Sequence, residues 1–170
     1  MLADSDGARQ AGRSGRILWP VIRWILAAIH LLGFGIAVGS IWARALSLRQ
    51  PLDVTGIRRV LYADTWWGVS AILLIGTGLV RAFAGFEKGT LYYTHNHLFW
   101  VKMGLLVTVL LLEILPMVTF IKWRVRLAKG ETIDATRARS FAAASFIQAA
   151  LILLMMLAAT AMARGYGVTN

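Results

Sequence analysis

The 170-residue chain contains no cysteine, and charged side chains make up only 15% of it. Without cysteine it is not a small secreted domain built on disulfides. Soluble domains usually carry about 25% charged residues, and disordered chains are far less apolar than this one, in which 58% of residues are hydrophobic. The composition therefore indicates an integral membrane protein.

Acidic residues are also scarce, at 8 against 18 lysines and arginines, which gives a formal charge of +10. A nucleic-acid-binding protein carries such an excess along one face or helix. Here the basic residues lie between apolar segments. The expected partner is therefore the lipid bilayer and not a nucleic acid.

Four apolar blocks are each long enough to cross about 30 Å of hydrocarbon, which requires roughly 20 helical residues. They cover residues 21–42, 65–83, 98–120 and 141–162. Inside lipid each segment must satisfy its own backbone hydrogen bonds, so these blocks are predicted to be helices. The predicted fold class is all-α, an antiparallel bundle of four transmembrane helices.

The aromatic residues support the same boundaries. All seven tryptophans lie near the end of a block, where amphipathic rings typically form an interfacial belt: Trp19, Trp24, Trp42, Trp66, Trp67, Trp100 and Trp123.

A polar, flexible N-terminal tail is predicted for residues 1–16, followed by a single four-helix domain over 17–165. The segments 43–63 and 121–140 hold ten basic residues. The other side holds seven, when Arg23 and Arg81 at the block edges are counted with the tail, the 84–97 connection and the C-terminus. The positive-inside rule predicts that the side with more lysines and arginines is cytoplasmic. The expected location is the bacterial inner (cytoplasmic) membrane, with both termini periplasmic.

Small residues indicate where helices meet, because close backbone approach stabilises helix pairs in lipid. The first block contains a GxxxG motif at Gly35 and Gly39. A second stripe lies along the second block: Asp64, Gly68, Ala71, Ile75 and Gly78. We expect packing within the bundle, with a homo-oligomer as the alternative use of GxxxG.

Ionisable residues near the ends of the blocks predict a structural charge network, since such groups are costly in a membrane and usually pair. Its expected members are Arg44, Arg58, Arg59, Asp64 and Glu113. Ion pairing is the main interpretation, and proton or ligand handling is the alternative. Asp64 is also a candidate to cap the second helix, because its carboxylate can accept free N–H groups.

Lys102 and Glu113 lie eleven residues apart, close to three helical turns, and so share one face of the third helix. The spacing corresponds to about 16 Å, too far for direct pairing. Lys102 is either a lysine that extends its ammonium group to the interface or a ligand contact.

His30, in the middle of the first block, is the leading candidate for cofactor binding. A neutral imidazole can ligate haem iron or relay a proton, but it can equally form an interhelical hydrogen bond. His97 is the candidate second ligand for a haem b, provided that the third helix begins earlier than residue 98. His95 and His97 together could bind a transition metal weakly, although a solvated loop is the simpler interpretation.

Several motifs resemble an uncharacterised family of bacterial four-helix predicted membrane proteins. The resemblance runs from about His30 to Arg124, and it implies an architecture without an activity. It rests on Arg59-Val60-Leu61-Tyr62-Ala63-Asp64, Trp67-Gly68, Ala71, Thr77-Gly78, Arg81, Lys88-Gly89, Tyr92-Tyr93, Asn96, Phe99, Lys102, Pro116 and Trp123-Arg124.

The layout more distantly resembles the HemJ-type protoporphyrinogen oxidases and the copper-resistance D membrane proteins. The HemJ type is a four-helix, haem-b-binding family with a first-helix histidine and a third-helix histidine two residues before a lysine. His30 and Lys102 match two of these positions, whereas Trp100 occupies that of the second histidine. The resemblance therefore implies a cofactor site at His30 and Lys102 that lacks the family's second iron ligand.

Three functions are consistent with these patterns. The first is a non-catalytic accessory or structural subunit of a membrane assembly, which would have a membrane-protein partner. The second is a haem- or quinone-associated redox protein that uses His30 and Lys102. The third is a small transporter with a charged path through Lys102, Asp64 and Glu113, although apolar helix interrupts that path. Whether the chain is an enzyme is left open.

Overall fold

The computed structural model describes residues 4–83 and 94–167, with side chains described from residue 18 onward. This part of the chain forms four long helices and no strand. They are α1 (Asp4–Ser47), α2 (Val54–Phe83), α3 (His97–Ala128) and α4 (Ala138–Ala163). Each contains an apolar segment long enough to span a membrane, which confirms the predicted all-α four-helix fold class.

All four helices extend beyond the predicted apolar blocks. The first connection shrinks to residues 48–53, because α1 continues to Ser47 and α2 begins at Val54. Hydropathy detects only the apolar part of a helix, whereas added residues such as Ile57 and Val60 of α2 and Trp123 of α3 are buried against one another. α1 begins within the predicted N-terminal tail, at Asp4. Residues 1–3 lie outside the described residues, and the tail's flexibility stays a prediction.

Local capping explains where α2 and α3 begin. The Asp53 carboxylate accepts the Gly56 N–H at 2.7 Å, and the Asn96 side chain accepts the Leu98 N–H at 2.9 Å. Both contacts satisfy amide groups that the first turn leaves without an intrahelical partner. The expectation that Asp64 caps α2 is therefore wrong, because α2 starts ten residues before Asp64, at Val54.

α3 and α4 end in a similar way, on glycines in the left-handed conformation. Gly130 has φ +70° and Gly165 has φ +88°. After α3, the Glu131 N–H returns to the Arg126 carbonyl, and after α4 the Tyr166 N–H returns to the Ala161 carbonyl. These are Schellman-type ends. In the intervening connection Asp134 accepts the Thr136 backbone N–H, and this hydrogen bond lowers the pKa of its carboxyl group.

Two buried apolar layers lie along the bundle axis. The end layer lies next to the first and third connections and comprises Leu48, Ile57, Val60, Leu61, Phe120, Trp123, Ala138, Phe141 and Ala142. The middle layer lies deeper and comprises Ala37, Ile41, Trp67, Val109, Ala149 and Ile152. α1 packs mainly on α2 and also on α4, α3 packs on α4, and α2 touches α3 least.

Two tryptophans depart from the predicted interfacial belt. Trp67 and Trp123 are buried, at 6% and 3% exposure, and belong to the middle and end layers. Five tryptophans remain exposed: Trp19, Trp24, Trp42, Trp66 and Trp100. Position near a block end does not determine which way a ring points, since that depends on the rotation of the helix.

The GxxxG motif also differs from expectation. Gly35 and Gly39 are exposed, and a Cβ atom built on either would meet nothing within 4 Å. The prediction that GxxxG packs inside the bundle is therefore wrong for the described chain, because this face of α1 points outward. Gly78 does meet a neighbour, since its Cβ would lie 3.6 Å from Cε1 of His30.

Gly56 is expected to tolerate no side chain. A Cβ there would overlap the backbone carbonyl oxygen of Pro51 and lie 3.2 Å from the capping oxygen of Asp53. We expect Gly56→Ala to destabilise the protein by about 1–3 kcal/mol, the typical cost of overpacking. Thermal unfolding in detergent, followed by tryptophan fluorescence, measures this loss. Gly68→Ala is the matched control in the same helix, because its Cβ meets nothing within 4 Å. Equal midpoints for the two variants would contradict this interpretation.

Candidate functional site: a buried charge cluster

Arg44, in the last turn of α1, is fully buried and lies at the centre of a polar cluster. Its Nε donates to Ser145 Oγ at 3.1 Å, and Nη1 donates to Asp64 Oδ1 at 2.9 Å and Glu113 Oε1 at 2.7 Å. Nη2 donates to Glu113 Oε2 at 2.7 Å and to Gln148 Oε1 at 2.9 Å. All five guanidinium N–H groups are thus used, and the contact with Glu113 is bidentate, the strongest form of this pair.

Two uncharged side chains of α4 complete the environment of Arg44. Gln148 Nε2 donates to Glu113 Oε2 at 2.8 Å and to the Val109 carbonyl at 3.1 Å, so its amide oxygen faces Arg44. The Ser145 hydroxyl donates to the Phe141 carbonyl at 2.8 Å, which leaves its oxygen to accept from Arg44. Both polar side chains of α4 are therefore held in the one orientation that suits a cation.

A second arginine extends the network towards solvent. Nη2 of Arg124 donates to Asp64 Oδ2 at 2.9 Å, to the Leu61 carbonyl at 2.9 Å and to Thr65 Oγ1 at 3.1 Å. Its side chain is 40% exposed, in contrast to Arg44 at 0%. Each oxygen of Asp64 therefore accepts from a different arginine. Arg124 supplies a direct link between α2 and α3, the pair of neighbouring helices with the least backbone contact.

These six side chains form what we call the Arg44 cluster: Arg44, Asp64, Glu113, Arg124, Ser145 and Gln148. Its two arginines and two carboxylates cancel in formal charge. The Arg44 guanidinium also lies 5.8 Å from the ring centroid of Trp67 and 5.5 Å from that of Phe120. These rings belong to the middle layer and the end layer respectively. The Arg44 guanidinium thus lies between apolar layers on both sides along the bundle axis.

The predicted charge network is brought together only in part. Arg44, Asp64 and Glu113 meet as expected, whereas Arg58 and Arg59 are exposed on α2 and make no ion pair within the described part of the chain. The predicted network did not include Arg124, Ser145 or Gln148, which the structure adds to it. The signal that could have identified Gln148 is that it is the single amide side chain in the apolar block 141–162.

Lys102 and Glu113 lie on the partly buried side of α3, as their spacing predicted. Glu113 joins the Arg44 cluster, and Lys102 lies eleven residues nearer the start of α3, outside the contacts of that cluster. A continuous charged path between them is not formed by the described residues. A role for Lys102 as a ligand contact stays a prediction.

His30 makes an interhelical hydrogen bond. Its Nδ1 lies 2.7 Å from Thr77 Oγ1, and the Thr77 hydroxyl donates to the Leu73 carbonyl at 2.6 Å. The threonine oxygen is therefore the acceptor, so Nδ1 of His30 carries the proton. This contact links α1 to α2 about midway along the apolar segment of α1.

Asn96 and His97, at the start of α3, hold the segment that follows α4. His97 is exposed and is the first residue of α3, and its backbone N–H donates to the Gly167 carbonyl at 3.0 Å. The Asn96 side chain donates to the Tyr166 carbonyl at 3.0 Å. Tyr92 and Tyr93, which precede this region, lie outside the described residues.

His30 and His97 lie on helices whose backbones are not packed against each other. The backbone of α3, which begins at His97, packs on α4 and α2 and not on α1, which carries His30. Glu113, sixteen residues after His97, links α3 to Arg44 of α1. Trp100, at the position that would supply the second ligand, is exposed. The part of the chain that the structure describes also contains no group of three or more histidine and acidic side chains suited to a metal ion. Haem or quinone binding at His30, Lys102 and His97 stays a prediction.

The family described as "Predicted membrane protein (DUF2214)" matches residues 22–167. No curated protein and no solved structure matches the chain. The matched range covers all four apolar segments nearly completely, together with every member of the Arg44 cluster.

Proposed function

The chain belongs to this family of predicted membrane proteins, and on that premise we propose that it is a non-catalytic structural subunit of a membrane assembly. The observation that carries the proposal is the Arg44 cluster. Its polar side chains come from all four helices and bond to one another. An interior organised in this way stabilises one arrangement of helices and presents no reactive group to a substrate.

The enclosure of the cluster supports the same function over a transporter. A transported ion would have to pass the middle layer, where Ile41, Trp67 and Val109 are each 6% exposed or less. Breaking the Arg44–Glu113 pair to create a path would leave buried charges without partners, at a cost of several kcal/mol. A rigid bundle is therefore the state that these contacts favour.

The outer faces of the bundle supply the surface for a partner. Large apolar side chains along α3 are exposed, among them Leu111 and Leu115, each at 62%. On α1 the corresponding residues are Leu31 at 69% and Leu32 at 67%. In a bilayer these faces contact either lipid or another membrane protein. We place the protein in the bacterial inner membrane with both termini periplasmic, on the basis of its basic connections.

The partner is tested by photo-crosslinking in intact cells. A benzoylphenylalanine residue is introduced separately at Leu111, Leu115, Leu31 or Leu32 of the full-length chain. We expect crosslinks to one protein partner from one face, α3 or α1, and not from both, together with roughly equimolar co-purification in mild detergent. The probes on the other face are the matched controls, because they are equally exposed but point elsewhere.

Two outcomes would overturn the proposal. One is a chain that purifies alone and forms no protein crosslink from either face. The other is a Soret band in the purified protein that disappears on substitution of His30 by alanine, which would make the chain a haem protein.

A further inference from the structure

A groove between α1 and α2 lies on the outer surface, at the end of the bundle next to the first connection. Its cavity volume is about 500 Å³. We call it the α1–α2 groove, and it is lined by Ala43, Ser47, Thr55, Arg58, Arg59, Tyr62 and Ala63. None of these residues belongs to the Arg44 cluster.

The groove combines an apolar floor with a basic rim. Ala43 and Ala63 line it from the two facing helices, while Arg58 and Arg59 are exposed beside it. Neither arginine is paired with a carboxylate in the described part of the chain. Two arginines that line one groove at the edge of a span, neither of them paired with a carboxylate, are complementary to a phosphate at headgroup level.

From the groove, uncovered surface extends along α1 away from the first connection. Gly39 lies one helical turn from Ala43 on α1 and is exposed, and space around it is open because a Cβ there would meet nothing within 4 Å. On α2 the exposed rings of Tyr62 and Trp66 pack edge to face, with centroids 6.4 Å apart, one and two turns beyond the arginines respectively. Aromatic rings at this depth mark the boundary between headgroups and hydrocarbon.

We propose that the α1–α2 groove binds one anionic phospholipid. Its phosphate contacts Arg58 and Arg59, and an acyl chain runs over Ala43 and Gly39 towards the centre of the membrane. A soluble anion would leave the apolar floor exposed, and a zwitterionic lipid would bring its own cation next to the arginines. Two arginines without a carboxylate partner, next to the apolar floor of the α1–α2 groove, favour a lipid that carries a net negative charge.

The test uses native mass spectrometry of the delipidated full-length protein in detergent, titrated with dioleoyl phosphatidylglycerol. Dioleoyl phosphatidylcholine is the zwitterionic comparison. We expect wild-type protein to retain one phosphatidylglycerol more tightly than phosphatidylcholine. The double variant Arg58→Gln/Arg59→Gln should bind phosphatidylglycerol about 30-fold more weakly, because each surface cation adds about 1 kcal/mol to the attraction.

Two further variants separate a site from diffuse attraction. Arg126→Gln/Arg139→Gln removes the same charge from exposed positions at the same end of the bundle, outside the groove, and should weaken binding less than threefold. Ala43→Leu fills the groove without changing charge and should also weaken phosphatidylglycerol binding, with unchanged circular dichroism as the check on folding.

Three results would overturn the proposal. Equal losses in the two double variants would show diffuse attraction. Unchanged binding by Ala43→Leu would show that no acyl chain lies in the groove. Displacement of the lipid by millimolar glycerol 3-phosphate would assign the arginines to a soluble anion.

Discussion

Replacing Arg44 by methionine is expected to destabilise the bundle by about 3–5 kcal/mol, the typical cost of removing one partner of a buried ion pair. The variant leaves Glu113 without its bidentate partner, and Asp64 keeps only Arg124. Both carboxylate side chains are just 15% exposed, so water cannot fully replace the lost donors. Unfolding by SDS in mixed micelles, followed by tryptophan fluorescence, measures the change, because Trp67 lies 5.8 Å from the guanidinium carbon.

The matched control is Arg124→Met, which removes the other arginine of the same cluster. Arg124 is 40% exposed, so water competes for Asp64 and the expected loss is about 0–1 kcal/mol. If Arg124→Met proved as destabilising as Arg44→Met, burial would not be the property that makes Arg44 important.

How much of this arrangement could be predicted depends on the level of structure considered. Long apolar runs predict spanning helices because a bilayer permits few alternatives, and all four are present. Helix ends were less predictable. The residues that extend α2 towards its N-terminus, such as Ile57 and Val60, are buried as part of the end layer. These contacts depend on the other helices.

The charged members of the cluster were accessible to sequence reasoning in part. Arg44, Asp64 and Glu113 are ionisable groups in or beside a span, and such groups must find partners. Arg58 and Arg59 satisfy the same criterion but are exposed, since a change of helix rotation by one or two residues decides between the interior and the surface. A single sequence carries little information about that rotation.

The neutral members show a different limit. Ser145 and Gln148 carry no charge, and neither stands out within an alanine-rich block. Their role follows from their position on α4 opposite Arg44, a contact that joins residues more than a hundred positions apart. Likewise, the GxxxG motif indicates that another helix could pack closely at Gly35 and Gly39. It does not indicate the direction in which that face of α1 points.

Restoring charge balance inside the cluster is expected to recover much of the stability that Arg44→Met loses. In the double variant Arg44→Met/Glu113→Leu, no buried carboxylate lacks a partner, because Asp64 keeps its bond to Arg124. Replacing a whole buried ion pair by apolar residues is often neutral or stabilising. Gln148 loses the partner of its amide oxygen but still donates to the Val109 carbonyl. We therefore expect the double variant to be about 2–3 kcal/mol more stable than Arg44→Met in the same SDS titration, a coupling typical of contacting residues.

The control for this recovery is Arg44→Met/Asp64→Leu, which has the same formal charge but leaves Glu113 buried without a cation. It should recover nothing, and equal recovery by both double variants would show that only the number of charges matters. The recovered protein also tests the proposed function. A structural subunit needs the shape of its bundle and not the charge of its interior, so Arg44→Met/Glu113→Leu should keep its crosslinks to the partner. Loss of those crosslinks in a stable variant would mean that the Arg44 cluster acts in the assembly through its charge.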